Sequence, residues 1–282
     1  MVESAFPQDP VDEAARQAAM GERRAVFRPG QASPWYPVFV LVPVLLLDAF
    51  ILYMVYLMGM LGSVVGVGAV IVCAAFVVLP VAGMWISSKD ARSGQELHIF
   101  DGGAVLRGPK GRVLPYRWAD TRLLVSAVRR TGGAITYSYA LLNSTQPPVV
   151  MGQNVVLLSV LGGATEGENP GDLVRAPLFT QMDVWGPMLE EGITRTHLPA
   201  VLAELAAGRR VEFGPAAVTA DGLVVDGAES RWNEITALSV ENGYLMVKRS
   251  GRFFRSSLRV AYVPNFLVLA AVVRHYSGAA LA

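Results

Sequence analysis

The sequence predicts an α-helical transmembrane hairpin followed by two small antiparallel β split-barrel modules, each closed by a C-terminal helix. Three observations predict this architecture. An apolar block fills residues 35–88, a pentapeptide occurs twice (R-W-A-D-T at 117–121 and R-W-N-E-I at 231–235), and helical periodicity follows Val263-Pro264-Asn265. We expect a flexible cytoplasmic tail at 1–34, the hairpin at 35–88, a first module at 92–207 with an insert at 143–182, and a second module at 208–282.

Composition limits the classes of function. Apolar residues make up 52 % of the 282 residues and charged residues 17 %, with a net charge of +1 and a mean hydropathy of +0.40. A net charge this close to zero gives no general attraction to nucleic acid, so no nucleic-acid partner is expected. The single cysteine, Cys73, excludes a disulfide framework and a cysteine-rich metal site within one chain.

Two apolar segments, Tyr36–Met60 and Ser63–Ile86, make up the predicted hairpin. The length of each segment is close to the roughly 20 apolar residues that span a hydrocarbon core. In that environment a single segment satisfies its backbone polar groups only if it is helical. A cleaved twin-arginine signal is disfavoured because the first segment is long and leads into a second. Positive flanks predict cytoplasmic termini, a plasma-membrane location and contact with membrane lipids. These flanking residues are Arg16, Arg23, Arg24 and Arg28 before the block, and Lys89 and Arg92 after it.

A pair of glycines and one aspartate are the notable residues inside the predicted hairpin. Gly62 and Gly66 form a G-x-x-x-G step, which serves either packing of the hairpin on itself or assembly of a homo-oligomer. Asp48 lies near mid-span, where an ionised carboxylate costs at least ~2.5–3.5 kcal/mol. Cys73 and its neighbours face it in the predicted hairpin, so Asp48 is either protonated and hydrogen-bonded or meets a group from another subunit.

The repeated pentapeptide belongs to a longer repeat. Trp118 and Trp232 are 114 positions apart, and at that offset Leu97–Gly102 falls on Val211–Ala216 without a gap. A register of this length indicates duplication of a structural module. We interpret the tryptophans as core anchors at strand ends, and the following acids as caps of the next turn. The repeated residues are Arg117, Trp118 and Asp120 in the first copy, and Arg231, Trp232 and Glu234 in the second.

The second copy is the easier one to interpret. Asn242-Gly243 between alternating segments predicts a hairpin, because a type I′ turn needs positive φ at both central residues. Proline at a helix start and apolar residues at helical spacing predict a closing helix from Asn265 to about Tyr276. With that turn, one strand face carries Leu238, Val240, Leu245 and Val247, and the other carries Ser239, Glu241, Met246 and Lys248.

The first copy leaves its closing helix open. Either Trp185–Leu205 or Val155–Leu161 fits that role. The glycine-rich stretch Gly162–Asp172 lacks the G-K-[ST] ending of a phosphate cradle and carries three acids, so we interpret it as a mobile loop. Strands are expected at Leu97–Leu106, Arg112–Trp118, Thr121–Val128 and Thr136–Leu142.

These motifs resemble an actinobacterial family of uncharacterised membrane proteins with tandem pleckstrin-homology-like modules. The resemblance covers roughly Glu96 to Tyr276 and implies the fold, since the motifs are structural. It carries no catalytic residues. The motifs are Leu97–Gly103, Arg117-Trp118, Gly208 with Val211–Gly214, Arg231–Ile235 and Val263–Asn265.

Catalytic and metal-binding patterns are absent from the sequence. His98, His197 and His275 are far apart and have no metal or triad spacing, and no nucleophile elbow, P-loop or dinucleotide fingerprint occurs. His98 alternates with apolar residues and is expected on the outward face of a strand. Glu190-Glu191 is expected on a solvated helix face. We therefore predict no enzyme, no cofactor and no metal.

Two hypotheses of function remain. In the first, the protein is an anchored scaffold whose modules bind a partner protein or anionic lipid headgroups, with each cation near an anionic leaflet contributing ~1 kcal/mol. In the second, oligomerised hairpins use Asp48 to line a path in a transport or channel assembly. The candidate anionic-surface residues are Lys110, Arg112, Arg122, Arg129 and Arg130 in the first module, and Lys248, Arg249, Arg252, Arg255 and Arg259 in the second.

Overall fold

The structure is a computed structural model that divides into two compact units. One comprises Met1–Pro29 with Gln95–Ala282 and is called the double module below; the other, Gly30–Gly94, is called the inserted unit. The residues described are 9–30, 36–59, 63, 67, 73, 78, 94–108, 111–129, 135–152, 157, 173–251 and 256–279, without the side chains of 36–41, 128–129 and 135–136.

Four sheets of three or four strands form the described part of the double module. The first has the order β1-β2-β3-β4 and the second β5-β6-β7-β8; the third runs β12-β11-β10-β9 and the fourth β13-β14-β15. In the first half the strands are β1 Arg23–Phe27, β2 Glu96–Phe100, β3 Gly103–Arg107, β4 Val113–Arg117, β5 Thr121–Arg129, β6 Ile135–Asn143, β7 Val149–Met151 and β8 Val174–Ala176. In the second half they are β9 Val211–Phe213, β10 Ala216–Val218, β11 Gly222–Val225, β12 Ala228–Arg231, β13 Ile235–Glu241, β14 Tyr244–Arg249 and β15 Ser256–Arg259.

Three described helices of the double module pack on these sheets: α1 Pro10–Gln17, α3 Met182–Ala206 and α4 Phe266–Ser277. Helix α2, Tyr36–Leu57, belongs to the inserted unit. Helix α3 serves both halves. Its first turns bury Trp185 and Leu189 in the core of the first module, and its last turns bury Leu205 in the core of the second. The predicted helix at Trp185–Leu205 is therefore present. The rival, Val155–Leu161, lies outside the described residues except for Leu157, and Gly162–Asp172 lies outside them entirely.

The N-terminal region is part of the first module. It was expected to be mostly flexible, but α1 begins at an Asp9 cap whose side chain accepts from the Val11 N–H at 3.1 Å, and β1 pairs antiparallel with β2. Val11 and Ala15 are buried. The charged R-R-A-V-F strand gains its hydrogen bonds from a partner far along the chain, which local patterns do not reveal.

Strands β1 and β2 are neighbours although the whole inserted unit lies between them in the sequence. Phe27 pairs with Leu97 across the two strands. In the second module the corresponding strands, β9 and β10, are joined by the two-residue turn Gly214-Pro215, with Phe213 opposite Ala216. The inserted unit therefore occupies the position of a tight hairpin turn in the first module.

The duplication is present, but its register shifts at one hairpin. The 3-10 turns Trp118–Asp120 and Trp232–Glu234 keep the 114-residue offset. Upstream of them the offset changes, because Gly103 pairs with Arg117 whereas Gly222 pairs with Arg231. The predicted gapless match of Leu97–Gly102 to Val211–Ala216 is wrong. The counterpart of β2 is β10, and β9 corresponds to β1.

The predicted hairpin of the second module is confirmed. Asn242 and Gly243 have φ of 53° and 81°, so both occupy the left-handed region that a type I′ turn requires. Leu238 pairs with Val247, and both side chains are buried, as is Leu245. Val240 lies on the same face near the turn and is 37 % exposed.

The predicted membrane hairpin is corrected by the structure. Within the described residues, no helix combines the length and the apolar character needed to cross a bilayer. Asp48 lies inside helix α2, which comprises Tyr36–Leu57. Most of the second segment, Ser63–Ile86, lies outside the described residues. The predicted fold class and plasma-membrane location are contradicted accordingly, and small β-sheets dominate the described fold.

Candidate interaction surface

An exposed cluster on the fourth sheet is the best candidate for a functional site. Strands β14 and β15 turn Leu245 and Leu258 into the core, so alternate residues face outward. Tyr244 is directly opposite Arg259 in this pairing. We call the outward cluster the tyrosine–arginine surface; its members are Tyr244, Met246, Lys248, Arg259 and Tyr262.

Arg259 lies between two aromatic rings. Its Cζ is 5.8 Å from the ring centroid of Tyr244 and 5.9 Å from that of Tyr262. These rings are 40 % and 39 % exposed, so each cation–π contact contributes about 0.5–1 kcal/mol. Arg259 is half-buried, and its guanidinium makes no hydrogen bond or ion pair with the described residues.

The backbone fixes the two tyrosines. Val260 N–H donates to the Gly243 carbonyl at 3.0 Å, which attaches the Asn242-Gly243 turn to the end of β15. Val263 N–H donates to the Val260 carbonyl at 2.9 Å and closes the 3-10 turn Val260–Tyr262. Neither tyrosine therefore stands on a long unsupported loop.

The surface carries positive charge that no described carboxylate neutralises directly. Lys248 and Arg259 have no carboxylate oxygen within 4.0 Å among the described residues. Glu241 lies beside Tyr244 on the same face, where it accepts a hydrogen bond from Ser239 Oγ at 3.0 Å. A ligand for this surface would need a hydrogen-bond acceptor for the Arg259 guanidinium. It would also have to bind close to the carboxylate of Glu241.

The five predicted basic residues whose side chains are described do not share one surface. Arg112 and Arg122 are exposed on the first module, whereas Lys248 and Arg259 belong to the tyrosine–arginine surface. Arg249 was expected on the surface but is only 8 % exposed, because it lies on the inward face of β14, where it donates to Ser256 Oγ at 2.6 Å. Lys110, Arg130, Arg252, Arg255 and the side chain of Arg129 lie outside the described residues.

The repeated tryptophans are packing residues, as the sequence predicts. Trp118 and Trp232 are 1 % and 8 % exposed. Trp118 Nε1 donates to the Asp101 carbonyl at 3.1 Å, and Trp232 Nε1 donates to the Ala220 carbonyl at 2.9 Å. Each indole thus joins its 3-10 turn to the preceding hairpin.

The remaining repeated residues have surface roles. Arg117 and Asp120 form an exposed ion pair at 3.7 Å, which contributes little to stability. Arg231 is exposed. The backbone carbonyl of Glu234 accepts from Ser250 N–H at 2.7 Å, whereas the sequence predicts a side-chain cap at this position.

Two glycines of α3, which the sequence interpretation overlooked, permit the close approach of aromatic side chains. A Cβ on Gly192 would lie 2.7 Å from Trp118 Nε1, and a Cβ on Gly186 would collide with Tyr139 Oη. An isolated glycine inside a helical sequence pattern indicates that close packing excludes a side chain at that position, and this pattern could have identified both residues.

The histidines have no catalytic arrangement among the described residues. His197 Nε2 is 2.7 Å from the Trp118 carbonyl and 3.1 Å from the Thr121 carbonyl. Both partners are acceptors, so this nitrogen carries a proton and attaches α3 to the first 3-10 turn. His275 is exposed on α4. No group of three or more potential metal ligands occurs in the part of the chain that the structure describes.

A small crevice lies between β5, α3 and α4. Leu123, Val125, Glu190 and Asn265 contribute to its lining, and its volume of about 10 Å³ gives room for about one water molecule. Glu190 is half-buried here and hydrogen-bonds to Tyr139, whereas Glu191 is exposed as predicted. Burial raises the pKa of Glu190, and the Tyr139 hydrogen bond opposes the rise. The crevice is too small for an organic ligand.

In the inserted unit, Asp48 is buried and its side chain hydrogen-bonds with Cys73. The predicted proximity of these two residues is thus observed. The second carboxylate oxygen of Asp48 has no hydrogen-bond partner among the described atoms. Gly62 and Gly66 lie outside the described residues, so the G-x-x-x-G interpretation stays a prediction.

Comparison with known proteins gives one match. Residues 168–280 match the model of a family of unknown function, DUF6585, which covers α3 and the second module but less than half of the chain. No curated protein matches the chain. No solved structure matches it either. The tyrosine–arginine surface lies within the matched region.

Proposed function

We propose that this protein is a non-enzymatic binding scaffold whose second module holds an acidic segment of a partner protein. The observation that carries the proposal is the Arg259 guanidinium between the exposed rings of Tyr244 and Tyr262. Tyrosine and arginine are enriched among the residues that dominate protein–protein binding energies. Tyrosine also supplies a large contact area at a low cost in side-chain entropy.

The charge of the surface supports an acidic partner. Lys248 and Arg259 have no described carboxylate partner, and a carboxylate from the ligand would form two parallel hydrogen bonds with the guanidinium. Apolar side chains next to that carboxylate in the partner segment would pack against the tyrosine rings and Met246.

A protein segment fits this surface better than an anionic bilayer does. A bilayer attracts a protein through several cations on one face. Among the described side chains, Arg249 is buried, Arg112 and Arg122 belong to the other module, and Glu241 on the same face would be repelled by an anionic bilayer. The alternative transport role of Asp48 has less support, since Asp48 is buried and hydrogen-bonds with Cys73.

Binding of displayed peptides to the full-length protein tests the proposal. The probe is a peptide library in which Asp and Glu flank apolar residues, and its reference is the same library with Asn and Gln in place of the acids. We expect selective binding of acidic peptides, weakened about tenfold or more in Arg259→Gln, because a charge-assisted hydrogen bond contributes about 1.5–3 kcal/mol. Tyr262→Ala should weaken binding less, because it removes a cation–π contact of about 0.5–1 kcal/mol.

Arg112→Gln serves as the matched control, since Arg112 is an exposed arginine of the first module. This variant should bind the acidic peptides like the wild type. Equal binding by the wild type and Arg259→Gln would refute the proposal. So would an Arg259-dependent attachment to vesicles of phosphatidylcholine and phosphatidylserine without selection of acidic peptides, because that result assigns the surface to lipid.

A further inference from the structure

We propose that residues Pro10–Phe27, which form α1 and β1, are an acid-released strap over the first sheet, with His98 beneath it as the proton sensor. The strap lies on the first module, away from the tyrosine–arginine surface in sequence and in fold. The inference therefore stands apart from the proposed binding function.

Helix α1 of the strap covers the outer face of β3 and β4, and β1 lies beside β2 as the edge strand of the same sheet. Val26 of β1 pairs with His98, and His98 pairs with Val105 of β3. Val11 and Ala15 of α1 pack with Val105 in a small cluster. The sequence predicts an outward-facing His98, and this prediction is wrong because α1 covers that face and leaves the ring only 2 % exposed.

Charged groups from every neighbouring element surround the buried ring. His98 Nε2 is 3.2 Å from Glu96 Oε2, whereas Nδ1 has no hydrogen-bond partner among the described atoms. Arg107 of β3 pairs with Asp9 at 2.6 Å and approaches Glu96 at 3.5 Å. The other charged neighbours are Asp12 at the start of α1, Arg23 of β1, which pairs with Asp9 and Asp12, and Arg28, which pairs with Glu96 at 3.0 Å.

This environment disfavours a protonated ring. Burial, and secondarily the charge of Arg23, lower the pKa of His98, and Glu96 and Asp9 oppose that shift only in part. A released strap exposes His98 to solvent, where its pKa returns to about 6.5. The released state therefore binds more protons. The stability of the docked strap is fully present above pH ~6.5 and is lost as the pH falls below it.

The nearby carboxyl group of Asp9 responds in a different pH range. Partial burial acts to raise its pKa, but the Val11 N–H and the charges of Arg107 and Arg23 together hold the pKa of Asp9 below its usual value. Asp9 thus loses its charge only in stronger acid.

The strap is held by the pairing of β1 with β2 at one sheet edge and by one small apolar cluster under α1. Its buried side chains Val11, Ala15 and Met20 belong to the small cluster, whereas Phe27 and the partly buried Ala25 pack on the first core. Its ion pairs are largely solvent-exposed and contribute ~0–1 kcal/mol each. Local opening of such an element costs less than global unfolding. It uncovers Phe100 and the hydrogen-bonding edge of β2, which an extended segment could occupy.

Hydrogen exchange of the full-length protein, with labelling times scaled to the intrinsic rate at each pH, tests the strap. We expect the amides of residues 23–27 to lose protection about tenfold between pH 7.5 and 5.5, because the exposed His98 ring of the released state takes up a proton over this range. The amides of β13 and β14 should keep theirs. In His98→Gln and His98→Leu, which cannot titrate, protection of the strap should not change with pH over this range.

His275→Gln is the matched control, because His275 is exposed on α4. It should keep the pH response of the wild type. The proposal is overturned if the wild type keeps strap protection at pH 5.5. It is equally overturned if either His98 variant retains the wild-type pH response.

Discussion

Leu123 and Asn265 join the two modules through a reciprocal pair of hydrogen bonds. The Leu123 N–H donates to Asn265 Oδ1 at 2.8 Å, and the Asn265 N–H donates to the Leu123 carbonyl, also at 2.8 Å. Asn265 has a φ of 54°, a conformation that asparagine tolerates better than most residues. One residue at the start of α4 therefore completes the free edge of β5 in the other module.

Asn265→Ala should lower the midpoint of thermal unfolding. The change leaves the Leu123 N–H without its acceptor, which costs about 1–3 kcal/mol for a buried donor, and places alanine at positive φ. Asn233→Ala, at an exposed asparagine of the second 3-10 turn, is the control and should behave like the wild type. Equal midpoints for the two variants would show that the reciprocal pair does not stabilise the module interface.

Gly192→Ala should also destabilise the protein, by up to about 2 kcal/mol. Alanine is the better helix former by about 1 kcal/mol, but its Cβ would lie 2.7 Å from Trp118 Nε1, and overpacking typically costs about 1–3 kcal/mol. Because helix propensity and overpacking act in opposite directions, the sign of the change in stability shows which of the two is larger. Glu191→Ala on the exposed face of the same helix is the control. A higher midpoint of thermal unfolding for Gly192→Ala than for the wild type would contradict the observed contact.

Replacement of Glu190 should reveal the effect of its burial. A carboxyl whose pKa is raised by folding stabilises the folded state below its unfolded pKa, and this contribution is lost as the pH rises through the folded pKa. Glu190→Gln should therefore unfold at a higher temperature than the wild type at pH 7, with the difference shrinking towards pH 4. Glu191→Gln should show no such trend. A Glu190→Gln midpoint below that of the wild type at pH 7 would be the contrary result.

The double module should fold without the inserted unit. We expect a chain in which Asn-Gly replaces residues 30–94 to close the β1–β2 hairpin, since this two-residue sequence favours a type I′ turn. Protected amides in residues 23–27 and 96–100, detected by hydrogen exchange, would confirm the pairing of Phe27 with Leu97. A control with 30–94 replaced by a 12-residue Gly-Ser linker separates turn strain from a need for the insert itself. If the amides of both strands are unprotected in both chains, the double module does not fold independently of the inserted unit.

Local patterns predicted the second module well. The Asn242-Gly243 turn, the buried face of β13 and β14 and the start of α4 all depend on residues close in sequence, so turn chemistry and periodicity identify them. The tryptophan anchors were found for the same reason. Each lies in a short repeated segment whose burial requires no knowledge of distant strands.

Long-range pairing explains what the sequence interpretation missed. Strand β1 reads R-R-A-V-F and has no alternation of its own; its partner β2 lies beyond the inserted unit. The burial of His98 follows from that pairing and from α1, so it was hidden too. The tyrosine–arginine surface depends on the pairing of Tyr244 with Arg259 and on a 3-10 turn, and none of these contacts has a sequence motif.

The turn Gly214-Pro215 marks a place where foreign chain could be grafted. Its counterpart between β1 and β2 already accommodates Gly30–Gly94, with antiparallel neighbours on either side about 4.8 Å apart. The entropy of closing a connecting segment grows only slowly with its length, so a hairpin that tolerates so long an interruption does not depend on a short link. A fluorescent or sensor domain whose termini are close together is therefore expected to splice into the second hairpin and leave the surrounding strands paired.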